Sequence, residues 1–267
     1  MSAPANRLAT RNLTLGYDHR QVVRDLEVEI PDRSFTVIIG ANGCGKSTLL
    51  RALARVLRPT SGTVLLDGKE IGAHPSRHVA RTVGLLPQSP ITPDGITVAE
   101  LVGRGRFPHQ GALRRETPQD RAVVERCLAE TALTDLGQRP VSSLSGGQRQ
   151  RAWIATALAQ DTELLLLDEP TTYLDLMHQI EVLDLCARLH AAGRTVVAVL
   201  HDLNQAARYA SHLIVLREGE VIAEGAPDAV ITAELVGRAF GLRARIIPDP
   251  ETGRPLVIPL PSQVTAK

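Results

Sequence analysis

Nine residues, Gly40-Ala41-Asn42-Gly43-Cys44-Gly45-Lys46-Ser47-Thr48, constrain this chain more than any others. They follow the apolar run Phe35-Thr36-Val37-Ile38-Ile39 and precede a stretch that reads as a helix over 46–57, stopped by Pro59. A strand that breaks into a glycine-rich loop and restarts as a helix commits the chain to an α/β architecture, with the loop at the strand's carboxyl end. The residue types suit a polyphosphate. Glycines permit the tight turn that aims backbone N–H groups at phosphate oxygens. The helix start adds a favourable dipole, Lys46 a cation for the outer phosphates, and Ser47 a hydroxyl for Mg²⁺. Candidate nucleotide-binding residues are therefore Gly40, Asn42, Gly43, Cys44, Gly45, Lys46, Ser47 and Thr48.

Around this loop, strand-like and helix-like runs alternate. Strands are expected over 8–15, 22–30, 63–66, 83–86, 163–167 and 195–200, and a hairpin over 212–224 turning at Glu218-Gly219. Helices are expected over 174–192 and 203–210. Such alternation implies a parallel sheet with helices on its faces. Between 89 and 160 the strand-like runs vanish. Ala122, Val123, Cys127, Leu128 and Leu133 recur at helical spacing, and 103–118, rich in Gly, Arg and Pro, reads as an exposed loop. The expected organisation is a single unit over 1–267. Its nucleotide-binding core spans 1–88 and 160–241, a helical subdomain is inserted over 89–159, and a tail follows over 242–267.

Aromatic residues make up 3% of the chain and hydrophobic ones 43%, so the core must be aliphatic, which suits buried parallel strands. Net charge is +1 with no basic stripe, which argues against nucleic acid as a partner. Cys44, Cys127 and Cys186 show no CxxC spacing, so neither a zinc site nor a disulfide framework is expected. The first residues lack a signal-peptide core, and no run approaches the roughly 18 apolar residues of a membrane span. Work at a membrane would have to pass through a partner. His74 and His78 stand four apart but lack further local ligands for a metal. Cys44, beside Lys46 near a helix start, is placed where thiolate is favoured.

Two further motifs carry chemistry. In Leu144-Ser145-Gly146-Gly147-Gln148, a serine and two glycines before an amphipathic stretch make a second anion-binding helix start. Leu164-Leu165-Leu166-Leu167 reads as a central strand that delivers Asp168-Glu169-Pro170 at its carboxyl end. Adjacent carboxylates there are costly without a cation. Asp168 is the candidate to hold Mg²⁺, and Glu169 the candidate general base for an attacking water.

With LSGGQ at 144–148 beside the Walker A pattern at 40–48 and the Walker B pattern at 164–170, the sequence resembles the ABC ATPases over about residues 8–240. The resemblance implies a P-loop NTPase core with a parallel sheet, an N-terminal antiparallel β subdomain and an inserted helical subdomain. It implies that Gln88 contacts Mg²⁺ and the attacking water, that His201 contacts the γ-phosphate, and that Tyr17 stacks on adenine. Lys46, Gln88, Glu169 and His201 would then be the catalytic set, and Ser47, Gln88 and Asp168 the Mg²⁺ set. The resemblance also implies a head-to-tail dimer in which Ser145 and Gly147 touch the partner's ATP and Asp175 lies at the seam.

One cassette, no long heptad region and no fused membrane segment point to a stand-alone importer subunit. Gly103-Arg104-Gly105-Arg106-Phe107-Pro108-His109, the stretch from Asp168 through Asp175 to His178-Gln179, and the tail from Asp249 through Arg254-Pro255 to Val257-Ile258-Pro259 resemble the iron–siderophore and cobalamin importer ATPases. That kinship implies ATP and Mg²⁺ as cofactors and a second, identical ATPase subunit. It also implies a membrane permease, a periplasmic or surface siderophore-binding protein, and a place on the cytoplasmic face of the cell membrane. Cobalamin or haem import, and a non-transport ABC ATPase, are the alternatives.

Overall fold

The computed structural model describes residues 6–18, 20–110 and 116–261. The chain opens with β1 (Leu8–Tyr17), β2 (Arg20–Leu26), β3 (Glu29–Ile30), β4 (Phe35–Gly40), α1 (Lys46–Leu53), β5 (Ser61–Leu66) and β6 (Lys69–Glu70). Next come α2 (Ser76–Thr82), β7 (Val83–Leu86), α3 (Val98–Arg104), α4 (Pro118–Glu130), α5 (Gly146–Ala159), β8 (Leu164–Asp168) and α6 (Leu176–Ala191). It closes with β9 (Thr195–Val199), α7 (Leu203–Tyr209), β10 (His212–Arg217), β11 (Glu220–Gly225), α8 (Pro227–Val230), α9 (Ala233–Phe240), β12 (Ala244–Pro248) and β13 (Pro255–Pro259). Two compact units result, residues 1–70 with 197–267, and residues 71–196.

In the first unit, the antiparallel sheet β2-β1-β5-β6 buries Leu8, Leu13 and Leu15 of β1, with Leu8 opposite Leu66. Its second layer has the order β11-β10-β4-β9. All six residues of β4 are buried, and Ile38 pairs in parallel with Ile214 of β10. This is the continuous apolar run of a strand covered on both faces. The hairpin from β10 to β11 turns at Glu218 and Gly219, both left-handed at φ 52° and 86°, as a two-residue turn between twisted strands requires.

Two expectations change in this unit. The strand expected over 22–30 is interrupted between β2 and β3. There the Thr10 hydroxyl donates to Leu26 O and accepts from Val28 N–H, both at 2.9 Å, in place of ladder bonds. The helix expected over 46–57 ends at Leu53. Arg55 turns left-handed at φ 58°, and the N–H groups of Val56 and Leu57 fold back onto Arg51 O. Beyond α9, the tail expected from residue 242 contains the antiparallel hairpin β12–β13, in which Ile246 faces Val257.

In the second unit the order is β9-β8-β7, with Val83 of β7 in parallel register with Leu164 of β8. Thr195 and Val196 of β9 belong here, and residues 197–199 to the first unit. Helices α3, α4 and α5 pack together, each begun by a reciprocal capping box: Thr97 with Glu100, Thr117 with Asp120, and Ser145 with Gln148.

The exposed loop expected over 103–118 is corrected. Gly103 and Arg104 complete α3, and Arg106 is buried. Its Nε donates to Asp120 Oδ1 and its Nη1 to Ala159 O, each at 2.9 Å, while His109 Nε2 lies 2.7 Å from Gln160 O. A planar guanidinium fork satisfies buried acceptors in fixed directions, which explains how an arginine-rich segment turns inward. The part of that expectation covering 111–115 lies outside the described residues.

Candidate functional site

The phosphate loop leaves β4 at Gly40, whose φ is 153°. A Cβ there would stand 2.1 Å from Leu216 O, so only glycine fits. At Gly45, φ 107°, a Cβ would come within 2.7 Å of Val23 Cγ2. Gly43 is left-handed at φ 77° but meets nothing within 4 Å, leaving an open cradle beside the exposed Asn42. Lys46 is only 5% exposed, and its Nζ donates to Gly40 O at 2.9 Å and Ala41 O at 3.0 Å. The ammonium therefore curls back over the loop whose phosphate it is suited to bind. Thr48 is buried on α1 and Ser47 half-buried.

Tyr17 ends β1 and is 43% exposed, and its hydroxyl lies 3.5 Å from Arg51 Nη1 on α1. His201 is exposed just beyond β9. Leu200 N–H donates to Ile38 O at 3.3 Å, which brings the chain end carrying His201 beside β4. Asp202 then caps α7 by accepting from Gln205 N–H at 2.8 Å. Tyr17, the phosphate loop and His201 thus belong to one unit.

The expectation that Cys44 favours thiolate is corrected. Burial pushes its thiol pKa up, outweighing the attraction of Lys46 and the nearby backbone donors.

The second unit holds the remaining candidates. Asp168, 1% exposed, ends the buried strand β8. Glu169 follows in the left-handed region at φ 53°, an uncommon conformation for a residue with a Cβ. Thr172 Oγ1 donates to Glu169 Oε2 at 3.1 Å, and Gln150 Nε2 on α5 donates to Pro170 O at 3.1 Å. Helix α5, which begins within the LSGGQ motif, is thereby tied directly to the Walker B turn. Ser145 caps α5, its Oγ accepting from Gln148 N–H at 3.2 Å, and Gly146 has open space around it. A Cβ on Gly147 would meet His178 Cδ2 at 3.4 Å. Asp175 accepts from His178 N–H at 3.0 Å, so it caps α6, which begins at Leu176 and not within the motif. Gln88 is exposed two residues beyond β7.

Gln150 and Thr172, which hydrogen-bond to the Walker B turn, are contacts that sequence reasoning missed. Thr172 could have been found from its place three residues after Glu169, the spacing at which a hydroxyl closes a turn. Gln150 gives no such signal. The His74 and His78 rings stack with centroids 5.1 Å apart, and no cluster of three or more His, Cys, Asp or Glu suited to a metal occurs among the described residues.

The carboxylate of Asp168 and the amide oxygen of Gln88 in the second unit, and the hydroxyl of Ser47 in the first, are each the kind of oxygen donor that suits a hard cation such as Mg²⁺. A buried carboxylate at a strand end is in keeping with a cationic partner.

Residues 23–172 match the ABC transporter family model, and the chain belongs to that family. It is 55% identical over 261 residues to the ferric enterobactin transport ATP-binding protein FepC of Escherichia coli (strain K12), covering 97% of this chain and 96% of that one. It is 48% identical over 254 residues to the iron(3+)-hydroxamate import ATP-binding protein FhuC of Bacillus subtilis (strain 168), with 95% and 94% covered. Among solved structures, an inward-facing transporter described as of metal-chelate ABC type superposes with a TM-score of 0.82 at 30% identity, covering 96% of this chain and 98% of that one. A post-hydrolysis dimer of an ATP-binding cassette with ADP and Pi gives 0.74 at 29%, covering 82% and 98%. The chain is an ATP-binding, ATP-hydrolysing importer subunit, and no helix among its described residues is long and apolar enough to cross a membrane.

Proposed function

We propose that this chain energises uptake of an iron(III)–siderophore complex from the cytoplasmic face of the cell membrane. It would work as a head-to-tail homodimer beneath a permease fed by a siderophore-binding protein. The observation that carries this reading is kinship with the ferric enterobactin transport ATP-binding protein at 55% identity across nearly the whole of both chains.

Each residue then has a task. Tyr17 stacks on adenine. The backbone of residues 40–45 cradles the phosphates, and Lys46 leaves the Gly40 and Ala41 carbonyls to reach the β- and γ-phosphates. Ser47, Asp168 and Gln88 hold Mg²⁺, which when bound offsets charge on the phosphate oxygens. Glu169, oriented by Thr172, accepts the proton of the attacking water, and His201 contacts the γ-phosphate. Ser145 and Gly147 meet the nucleotide of the partner subunit. Asp175 lies at the seam, where the neighbouring Tyr173, Leu176 and Met177 are 87%, 71% and 63% exposed, an apolar patch a second copy would cover. Loss of the γ-phosphate removes contacts that favour the closed dimer, so hydrolysis reopens it.

Uptake by cells lacking this gene tests the cargo. Loss of ferric siderophore uptake with cobalamin and haem uptake intact supports the reading. Loss of cobalamin or haem uptake alone reassigns the cargo, and no transport defect turns attention to a non-transport partner.

A further inference from the structure

Asn204 lies on α7, three residues after His201, and its side chain reaches the C-terminal hairpin. Its Oδ1 accepts from Val257 N–H at 2.7 Å, and its Nδ2 donates to Val257 O at 3.2 Å. Both halves of one carboxamide are spent on one residue's backbone, as a neighbouring strand's peptide would be.

The hairpin is built to receive this clamp. Leu260 N–H donates to Arg243 O at 2.8 Å and Asp249 N–H to Arg254 O at 2.7 Å. Even-numbered residues of β13 therefore bond to β12, and odd-numbered ones face the outer edge. Those odd positions are Pro255, Val257 and Pro259. Proline has no N–H to offer an edge. Val257 is thus the one outward donor of β13, and Asn204 takes it.

The partner element needs the support. Helix α7 has seven residues, too few to hold its shape without tertiary contacts. Ser211, just past its end, exchanges two bonds of 2.9 Å with Phe35 at the start of β4, and Leu200 bonds to Ile38 just before it. These ties fix the helix to the strand that ends in the phosphate loop. The Asn204 clamp fixes its other side. The ion pairs Arg254–Asp228 at 3.3 Å and Arg208–Asp249 at 3.9 Å are exposed or loose and contribute little.

We infer that Asn204 is a positioning residue for ATP hydrolysis, clamping α7 to the C-terminal hairpin so that His201 is held at the γ-phosphate. The inference rests on the proposed role of His201. The hairpin is then part of the hydrolytic apparatus, although it carries no phosphate-binding group of its own.

Steady-state ATPase measurements on the full chain test this. The variants are Asn204→Ala, His201→Ala, their double, and Val257→Pro. The last removes the N–H that Asn204 accepts but none of the bonds to β12. Asn204→Ala and Val257→Pro are each expected to lower kcat about tenfold, with KM for ATP within about twofold of wild type. In the His201→Ala background, Asn204→Ala should change kcat by less than about twofold, because the two act as one unit. Unchanged kcat in Asn204→Ala, or an equal loss in both backgrounds, overturns the clamp. Wild-type turnover in His201→Ala overturns the reading of His201 and the inference with it, a result that the Asn204 single variant does not produce.

Discussion

The Thr172 hydroxyl donates to Glu169 Oε2 at 3.1 Å across a turn in which Glu169 stands left-handed at φ 53°. One hydroxyl therefore restrains the carboxylate assigned as general base. Thr172→Val keeps the shape and removes the bond. Its kcat should fall about tenfold with ATP affinity unchanged, since a misaimed base costs rate and not binding. Single-turnover hydrolysis beside an ATP titration separates the two.

Lys46 makes its hydrogen bonds to Gly40 O and Ala41 O within the same loop that is to bind phosphate. Lys46→Ala should weaken MgATP binding at least about tenfold, the scale of one lost charge-assisted contact. Isothermal titration checks this, and unchanged affinity would remove Lys46 from its assigned role.

Gly40 and Gly43 differ in what surrounds them. A methyl group at Gly40 would lie 2.1 Å from Leu216 O, whereas at Gly43 it would meet nothing within 4 Å. Gly40→Ala should cost about 3 kcal/mol or prevent folding, and Gly43→Ala about 1 kcal/mol from its left-handed backbone alone. Urea denaturation of the two variants gives the comparison directly.

The buried pair Arg106–Asp120 makes stability depend on acid. Burial alone would raise the Asp120 carboxyl pKa. The Thr117 backbone and hydroxyl and the Arg106 guanidinium outweigh it and hold that pKa below the ordinary range. A carboxyl depressed in the folded chain adds stability above its unfolded pKa, about 3.9. That stability is lost as pH falls below this value toward the folded pKa. Denaturation midpoints for the wild type should therefore drop below about pH 4, more steeply than for Asp120→Asn. Arg106→Met should cost about 3 kcal/mol at neutral pH by leaving a buried carboxylate without its cation.

The phosphate loop, the LSGGQ motif and the Walker B strand were legible because each joins a rigid residue pattern to an element boundary: β4 into α1, Ser145 capping α5, and β8 into Asp168. The hairpin at Glu218-Gly219 was legible from its turn residues. Arg106 was not, because one arginine among several in a stretch of glycines and prolines says nothing of a buried aspartate 14 residues on. The ends of α1 and α6 were missed where a left-handed Arg55 and a capping Asp175 override apolar periodicity. The hairpin β12–β13 escaped notice because the three prolines within its strands, Pro248, Pro255 and Pro259, argue against strand until an edge position accommodates them.

The most direct test of the central claim is ferric siderophore uptake in cells that lack the native gene and carry either the wild type or Glu169→Gln. The wild type should restore uptake, while Glu169→Gln, binding MgATP with wild-type affinity in vitro, should restore none. Equal uptake from the two genes would contradict the claim that hydrolysis at Glu169 drives transport.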